Sequence, residues 1–158
     1  MSRSHAYAVH LTWTGARDGP VKDYAGYSRT YALAVAGKPT LAGSADPLFR
    51  GDPTVHNPED LLVGALAGCH MLTYLALCAR AKIVVTAYED AASGTMALEG
   101  GGGRFTEVVL RPRVMVAAGS DVEKARALHE AAHHDCFIAA SVNFPVRHEP
   151  DVVVAADG

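Results

Sequence analysis

The stretch from Asn57 to Arg80 limits the possible folds of this chain more than any other. Asn57 can cap a helix, Pro58 suits the first helical position, and Glu59 and Asp60 complement the positive end of the helix dipole. From Leu61 to Leu77 the sequence is then apolar on nearly every face, and carries Gly64, Gly68, Cys69, His70 and Thr73 within it. A helix apolar all round is an enclosed helix, which a sheet and a neighbouring subunit would together supply. The run is at the short limit for crossing a bilayer, so a buried central helix is expected rather than a membrane span.

The flanking sequence predicts what encloses it. Ala6 to Trp13 and Tyr27 to Val35 carry β signals on either side of a polar turn at Gly15–Pro20. Gly37 to Pro53, rich in Gly, Pro, Ser and Asp, predicts a long loop of the kind that tends to be functional, with Arg50 near its end. Lys82 to Leu98 and Arg104 to Ala117, joined by Gly100–Gly103, predict a hairpin. Ser120 and Glu123 have capping-box spacing and open a second helix reaching about Ala131. A last strand covers Val142 to Val154, with interruptions at Pro145 and Pro150. Strands, helix, strand pair, helix, strand is the order of a single α+β domain.

At 158 residues such a domain buries about two-thirds of the surface its unfolded chain exposes, so no covalent staple is required. Three cysteines, an odd number, argue against a disulfide scaffold, and no N-terminal stretch reads as a secretory signal. A reducing cytoplasm is the expected setting. The net charge of −3, from 14 basic and 17 acidic residues scattered along the chain, excludes the basic footprint of a nucleic-acid binder. Small-molecule chemistry is the expected business of this chain.

Cys69 and Cys136 carry that expectation. A thiol reacts as the thiolate, and a reactive cysteine therefore needs cations or hydrogen-bond donors nearby. Cys69 has only His70 beside it in sequence, so a cation must come from elsewhere, with Arg17 and Arg50 the loop candidates. Glu59 is a candidate to orient a guanidinium. It lies about 15 Å from Cys69 along the helix, so a long arginine or a second subunit's Glu59 must connect the two. Cys136 follows His133-His134-Asp135 and precedes Phe137-Ile138-Ala139-Ala140; a helical turn there would favour a thiolate at Cys136. The bland alternative is a packed interior thiol, and Cys78, half a turn out of phase with Cys69, is expected to be core. His70, His133, His134 and the cysteines lack zinc-ligand spacing, and no G-x-S-x-G elbow is present, so neither a metal site nor a serine hydrolase is expected.

The segment Asn57-Pro58-Glu59-Asp60-Leu61 through Ala67-Gly68-Cys69-His70 resembles the N-P-E-x-L…A-x-C-x signature of the OsmC/Ohr family of osmotically induced and organic hydroperoxide resistance proteins. The resemblance extends to the spacing of Cys136, the element order and the Asp52-Pro53 loop. It implies an OsmC-like fold, with antiparallel sheets wrapped around two central helices in an intertwined homodimer whose active sites lie at the subunit interface. It also implies a thiol peroxidase without metal, flavin or other cofactor. By position, Cys69 resembles the peroxidatic thiol, Cys136 the resolving thiol and Glu59 the arginine-orienting carboxylate. Arg17, in Thr14-Gly15-Ala16-Arg17-Asp18-Gly19, resembles the hydroperoxide-resistance branch. Arg50, in Phe49-Arg50-Gly51, resembles the OsmC branch, to which the loop around it is closer. The implied partners are an organic hydroperoxide and an external dithiol such as a lipoyl group or a thioredoxin-type donor. A non-catalytic redox sensor or ligand-binding dimer of the same fold is the alternative. The sequence departs from the family where Phe137, rather than a proline, follows the second cysteine.

Overall fold

A computed structural model describes residues 3–156. The chain divides into two compact units, one ending at Leu61 and the other beginning at Leu62. The first holds an antiparallel sheet of β1 (His10–Trp13), β2 (Tyr31–Ala34) and β3 (Leu41–Gly43) in that order. The polar turn after β1 is a short 3₁₀ helix, Thr14–Asp18. The expected long loop is more structured than its composition predicts. It contains β3 and a second 3₁₀ turn, Pro47–Phe49, capped by the Asp46 carboxylate, which accepts the Leu48 N–H at 2.7 Å.

Helix α1 (Pro58–Arg80) starts where the cap signals place it. The Asp60 N–H donates to Asn57 Oδ1 at 2.8 Å, and the Asn57 N–H reaches the Asp60 carboxylate at 3.4 Å. Within this chain α1 is not enclosed all round. Its buried residues Leu66, His70, Tyr74 and Cys78 form one stripe at four-residue spacing, while Leu72, on another face, is exposed.

The expected hairpin is two strand pairs. β4 (Val85–Asp90) pairs with β7 (Pro112–Val116), and β5 (Ser93–Glu99) with β6 (Gly102–Leu110), in separate three-stranded sheets. The chain changes sheet at Ala91-Ala92 and at Arg111. The Asp90 carboxylate accepts the Arg111 N–H at 2.7 Å and fixes that corner. The last predicted strand is likewise two, β8 (Val146–His148) and β9 (Asp151–Val154), divided around Pro150, which has no N–H to give a ladder. β8 runs parallel to β6 and β9 parallel to β7, so these two pairs depart from the otherwise antiparallel pattern.

Helix α2 (Val122–Asp135) is one turn longer than its expected end at Ala131, and its cap is Asp121, whose carboxylate accepts the Lys124 N–H at 2.9 Å, rather than Ser120. Ser120 instead lies at 3.4 Å from the Val84 N–H. Two apolar clusters form the core of the second unit. Tyr74 and Cys78 of α1 meet Ala125 and Ala132 of α2 and Val114, Val116 and Val152 of one sheet; Leu66 meets Val108, Leu110 and Val146 of the other. Cys78 is core, as its phase on the helix predicts.

Candidate active site

Two elements bring the thiols together. Cys69 sits half-buried on α1, and Cys136 is buried at the C-cap of α2, where the backbone turns extended at φ −73° and ψ 113°. The chain then makes a tight turn: Ala140 N–H donates to the Cys136 carbonyl at 3.0 Å, Ala139 N–H to Cys136 Sγ at 3.5 Å, and the Ser141 hydroxyl to the Phe137 carbonyl at 2.7 Å. All three cysteines are free.

The surroundings of the two sulfurs are unequal. Burial pushes the Cys69 thiol up, but the Cys136 thiol and the backbone N–H groups of Ile138 and Phe137 lower it as donors, and the Thr73 hydroxyl, which donates to the Cys69 carbonyl at 2.9 Å, lowers it least. The donors win, and Cys69 lies below an ordinary thiol. Cys136 is pushed up, by burial first and then by the Cys69 sulfur it faces, against weaker help from the Ala139 and Ile138 N–H groups. Of the two sulfurs, Cys69 is the one that gives up its proton more readily. The turn after Cys136 thus favours a thiolate, as expected of a helical turn there, but at Cys69 and not at Cys136.

Glu59, Arg50 and Arg17 belong to the first unit. Glu59 is in the opening turn of α1, and its Oε2 is enclosed without a hydrogen-bond partner among the described residues. Arg50 is exposed and caps the 3₁₀ turn in the left-handed region at φ 64°. Its loop is stitched by the Asp46 carbonyl, which accepts the Phe49 and Gly51 N–H groups at 2.9 and 3.1 Å, and by Ser44 Oγ, which accepts the Asp52 N–H at 3.0 Å. Arg17 is exposed in the first 3₁₀ helix. The groups that lower Cys69 are all neutral donors of the second unit, a source of thiolate stabilisation the sequence does not display.

Of the apolar residues near Cys69 in sequence, Leu66 and Tyr74 are fully buried in the two core clusters, whereas Met71 is half-buried and Leu72 exposed. Next to Cys69, His70 is buried and meets His129 of α2, with Nε2 and Nδ1 3.0 Å apart. The separation is that of a hydrogen bond between the two rings. Burial holds both neutral, His70 down to about 4 and His129 down to about 3. His129 escapes a reading of ligand motifs, but the spacing Ala125, His129, Ala132, Cys136 is a helical stripe that marks it as inward-facing.

The OsmC-like protein family profile matches residues 51–151. No curated protein matches the chain. Among solved structures, an OsmC-like protein of unknown function from Vibrio cholerae is 30% identical, with a TM-score of 0.84 over 93% of this chain and 99% of its own. An organic hydroperoxide resistance protein from Elizabethkingia anophelis is 20% identical, with a TM-score of 0.67 over 97% of this chain and 100% of its own. One from Legionella pneumophila is 18% identical, with a TM-score of 0.66 over 96% and 100%. The second and third share the fold; the profile, covering well over half the chain, shows more. The α+β architecture, the spacing of the two thiols and these matches agree: the chain belongs to the OsmC-like protein family.

Proposed function

We propose that the chain, as one OsmC-like domain over residues 1–158, is a cysteine-based peroxidase that reduces organic hydroperoxides in defence against oxidative stress. The observation that carries this reading is the unequal thiol pair, with Cys136 at the end of α2 placed against Cys69 of α1, Cys69 lowered by its neighbours and Cys136 raised beside it. The Cys69 thiolate attacks the terminal peroxide oxygen, the O–O bond breaks, and an alcohol leaves with a proton. Cys69 becomes a sulfenic acid, and Cys136 condenses with it to a disulfide with loss of water. An external dithiol, a lipoyl group or a thioredoxin-type donor, returns both thiols. No metal or other cofactor enters the cycle.

Arg50 is the guanidinium assigned to polarise the peroxide, with Arg17 the alternative, and Glu59 its orienting carboxylate. The enclosed, unpartnered Oε2 of Glu59 supports that role, since a buried carboxylate oxygen without a donor is costly. Two copies of the chain make the working unit, a reading supported by the exposed Leu72 of α1 and by Phe137, 81% exposed directly after Cys136. A reducing cytoplasm suits the free thiols. Leu72 and Met71 favour an apolar peroxide, each buried methylene being worth about 0.8 kcal/mol.

The test is loss of cumene hydroperoxide over many turnovers with dihydrolipoamide. Turnover that vanishes in Cys69→Ser, and a single oxidation without recycling in Cys136→Ser, is the expected result. A folded protein that consumes no peroxide is instead a sensor or binding module.

A further inference from the structure

Helices α1 and α2 meet mostly through apolar side chains, and apolar contact fixes no register because it has no direction. Two side-chain hydrogen bonds cross between them among the described residues: Tyr74 Oη donates to the Ala125 carbonyl at 3.0 Å, and His70 Nε2 meets His129 Nδ1 at 3.0 Å. The second joins the neighbour of Cys69 to a residue two turns before Cys136 on the same stripe of α2. The imidazole planes differ by 8° and their centres are 5.3 Å apart. With the facing nitrogens at 3.0 Å, the rings lie edge to edge in one plane rather than face to face, so a small slide of either helix breaks the bond.

We propose that the His70–His129 pair is a positioning clamp for the thiol pair: it holds the α2 stripe that ends in Cys136 in register with the α1 turn that carries Cys69, and so sets how fast the two sulfurs join. The clamp has no part in the attack on peroxide, for neither ring touches the reacting atoms in that step. It is relevant to the second step, in which Cys136 Sγ displaces hydroxide from the Cys69 sulfenic acid, an S–S bond replaces the S–O bond, and the thiol proton leaves in water. That displacement needs the two sulfurs aligned, and misplacement by about 1 Å costs on the order of a hundredfold.

The rings are enclosed well enough for the bond to be lasting. His70 is 1% exposed and His129 0%. His129 is covered by the Tyr74 ring at 3.8 Å between centres, and both histidines face His148 of β8, whose Nε2 lies 3.4 Å from the Glu130 carboxylate and whose other neighbour is His133. Their remaining nitrogens, His70 Nδ1 and His129 Nε2, have no partner among the described residues. A neutral pair has one proton for the space between the rings. A second would set N–H against N–H and open the clamp.

The proposal rests on the peroxidase reading for its biological use, and the experiment separates the two. Reduced full-length protein is mixed with cumene hydroperoxide and quenched at intervals. Mass spectrometry then follows the Cys69 sulfenic acid, trapped with dimedone, and the Cys69–Cys136 disulfide. In parallel, diamide oxidises the same dithiol directly, taking two electrons and two protons as it becomes the hydrazine. His129→Leu, which removes the polar atom, is expected to slow disulfide formation by roughly ten- to a hundredfold with either oxidant. Sulfenic acid should form at a rate within about twofold of the unaltered protein, since both rings stand outside that step. His129→Asn, which keeps a polar atom at the Nδ1 position, is expected to restore most of the disulfide rate. Should the leucine variant fail to fold, His129→Gln, whose amide lies one bond further out, takes its place as the disrupting change. Disulfide rates unchanged by the disrupting variant, or slowed no more than the sulfenic-acid step, would overturn the clamp. Absence of any Cys69 oxidation by peroxide in the unaltered protein overturns the peroxidase reading alone, and the diamide rates then still decide the clamp.

Discussion

Cys69 owes its low position to neutral donors, and this makes a direct prediction. Cys136→Ala removes the thiol that donates to it, so the Cys69 thiol should titrate higher than in the unaltered protein. The pH dependence of its alkylation by iodoacetamide measures this; a profile unmoved by the change would show that the Phe137 and Ile138 amides suffice alone. Glu59→Gln makes a second test at this scale. If the enclosed Oε2 orients a guanidinium, peroxide turnover should fall while alkylation of Cys69 by iodoacetamide keeps its rate. Cys69 and Cys136, which the fold brings together, were legible as a candidate pair because side-chain chemistry at fixed spacing is what a sequence displays. The Phe137 and Ile138 N–H groups were not, since every residue but proline has one and only the turn after α2 aims them. His129 was hidden for another reason: its partner lies 59 residues away, and no local motif links them.

At the scale of elements, the loop that carries Arg50 has a narrow tolerance. A Cβ on Gly51 would collide with the carbonyl of Ala45, a backbone atom that cannot step aside. Gly51→Ala should therefore break the Asp46 and Ser44 hydrogen bonds and cost about 1–3 kcal/mol of stability, read as a shift of the urea midpoint. The helix pair makes a prediction in pH. His70 and His129 are held neutral down to about 4 and about 3, whereas in the unfolded chain they protonate near 6.5. Their contribution is complete above 6.5. Below it the unfolded state binds protons that the folded state refuses, and stability falls by about 1.4 kcal/mol per pH unit for each ring until about pH 4. The double variant His70→Gln/His129→Asn should flatten that slope between pH 6 and 4.5 in urea titrations; an equal slope would assign the acid sensitivity to His148 and its neighbours. The start of α1 was legible because cap, proline and acids coincide at Asn57 to Asp60. The four strands inside one predicted hairpin were not, because a change of sheet at Arg111 depends on a bond from Asp90, a contact across 21 residues.

For the whole molecule, the sequence carried the family and the α+β class, because the six fixed positions of a signature, Asn57, Pro58, Glu59, Leu61, Ala67 and Cys69, coincide at the helix start and Cys69, while turns alone match many folds. The sequence expects a sheet and a second copy to share the enclosure of α1 and cannot apportion it between them, since an apolar surface reads the same whether its own sheet or another copy covers it. Leu72, 66% exposed, tests which. Leu72→Glu is expected to lower the apparent mass in light scattering if a second copy sits on that face, and to leave it unchanged if none does.

The parallel pairing of β8 with β6 and of β9 with β7 bears on how the protein is made. Val114 waits for Val152, 38 residues later, and α2 lies between them. Pairing across such a span is slow because the loop must close before any contact repays it. A chain emerging from the ribosome therefore has Cys69 exposed well before α2 is pinned and Cys136 brought to it. During that interval the Cys69 sulfur is without the donors that lower it and titrates as an ordinary exposed thiol does. The lowered Cys69 thiol is therefore a property of the finished domain, acquired only when the last strands have locked α2 and the turn after it into place.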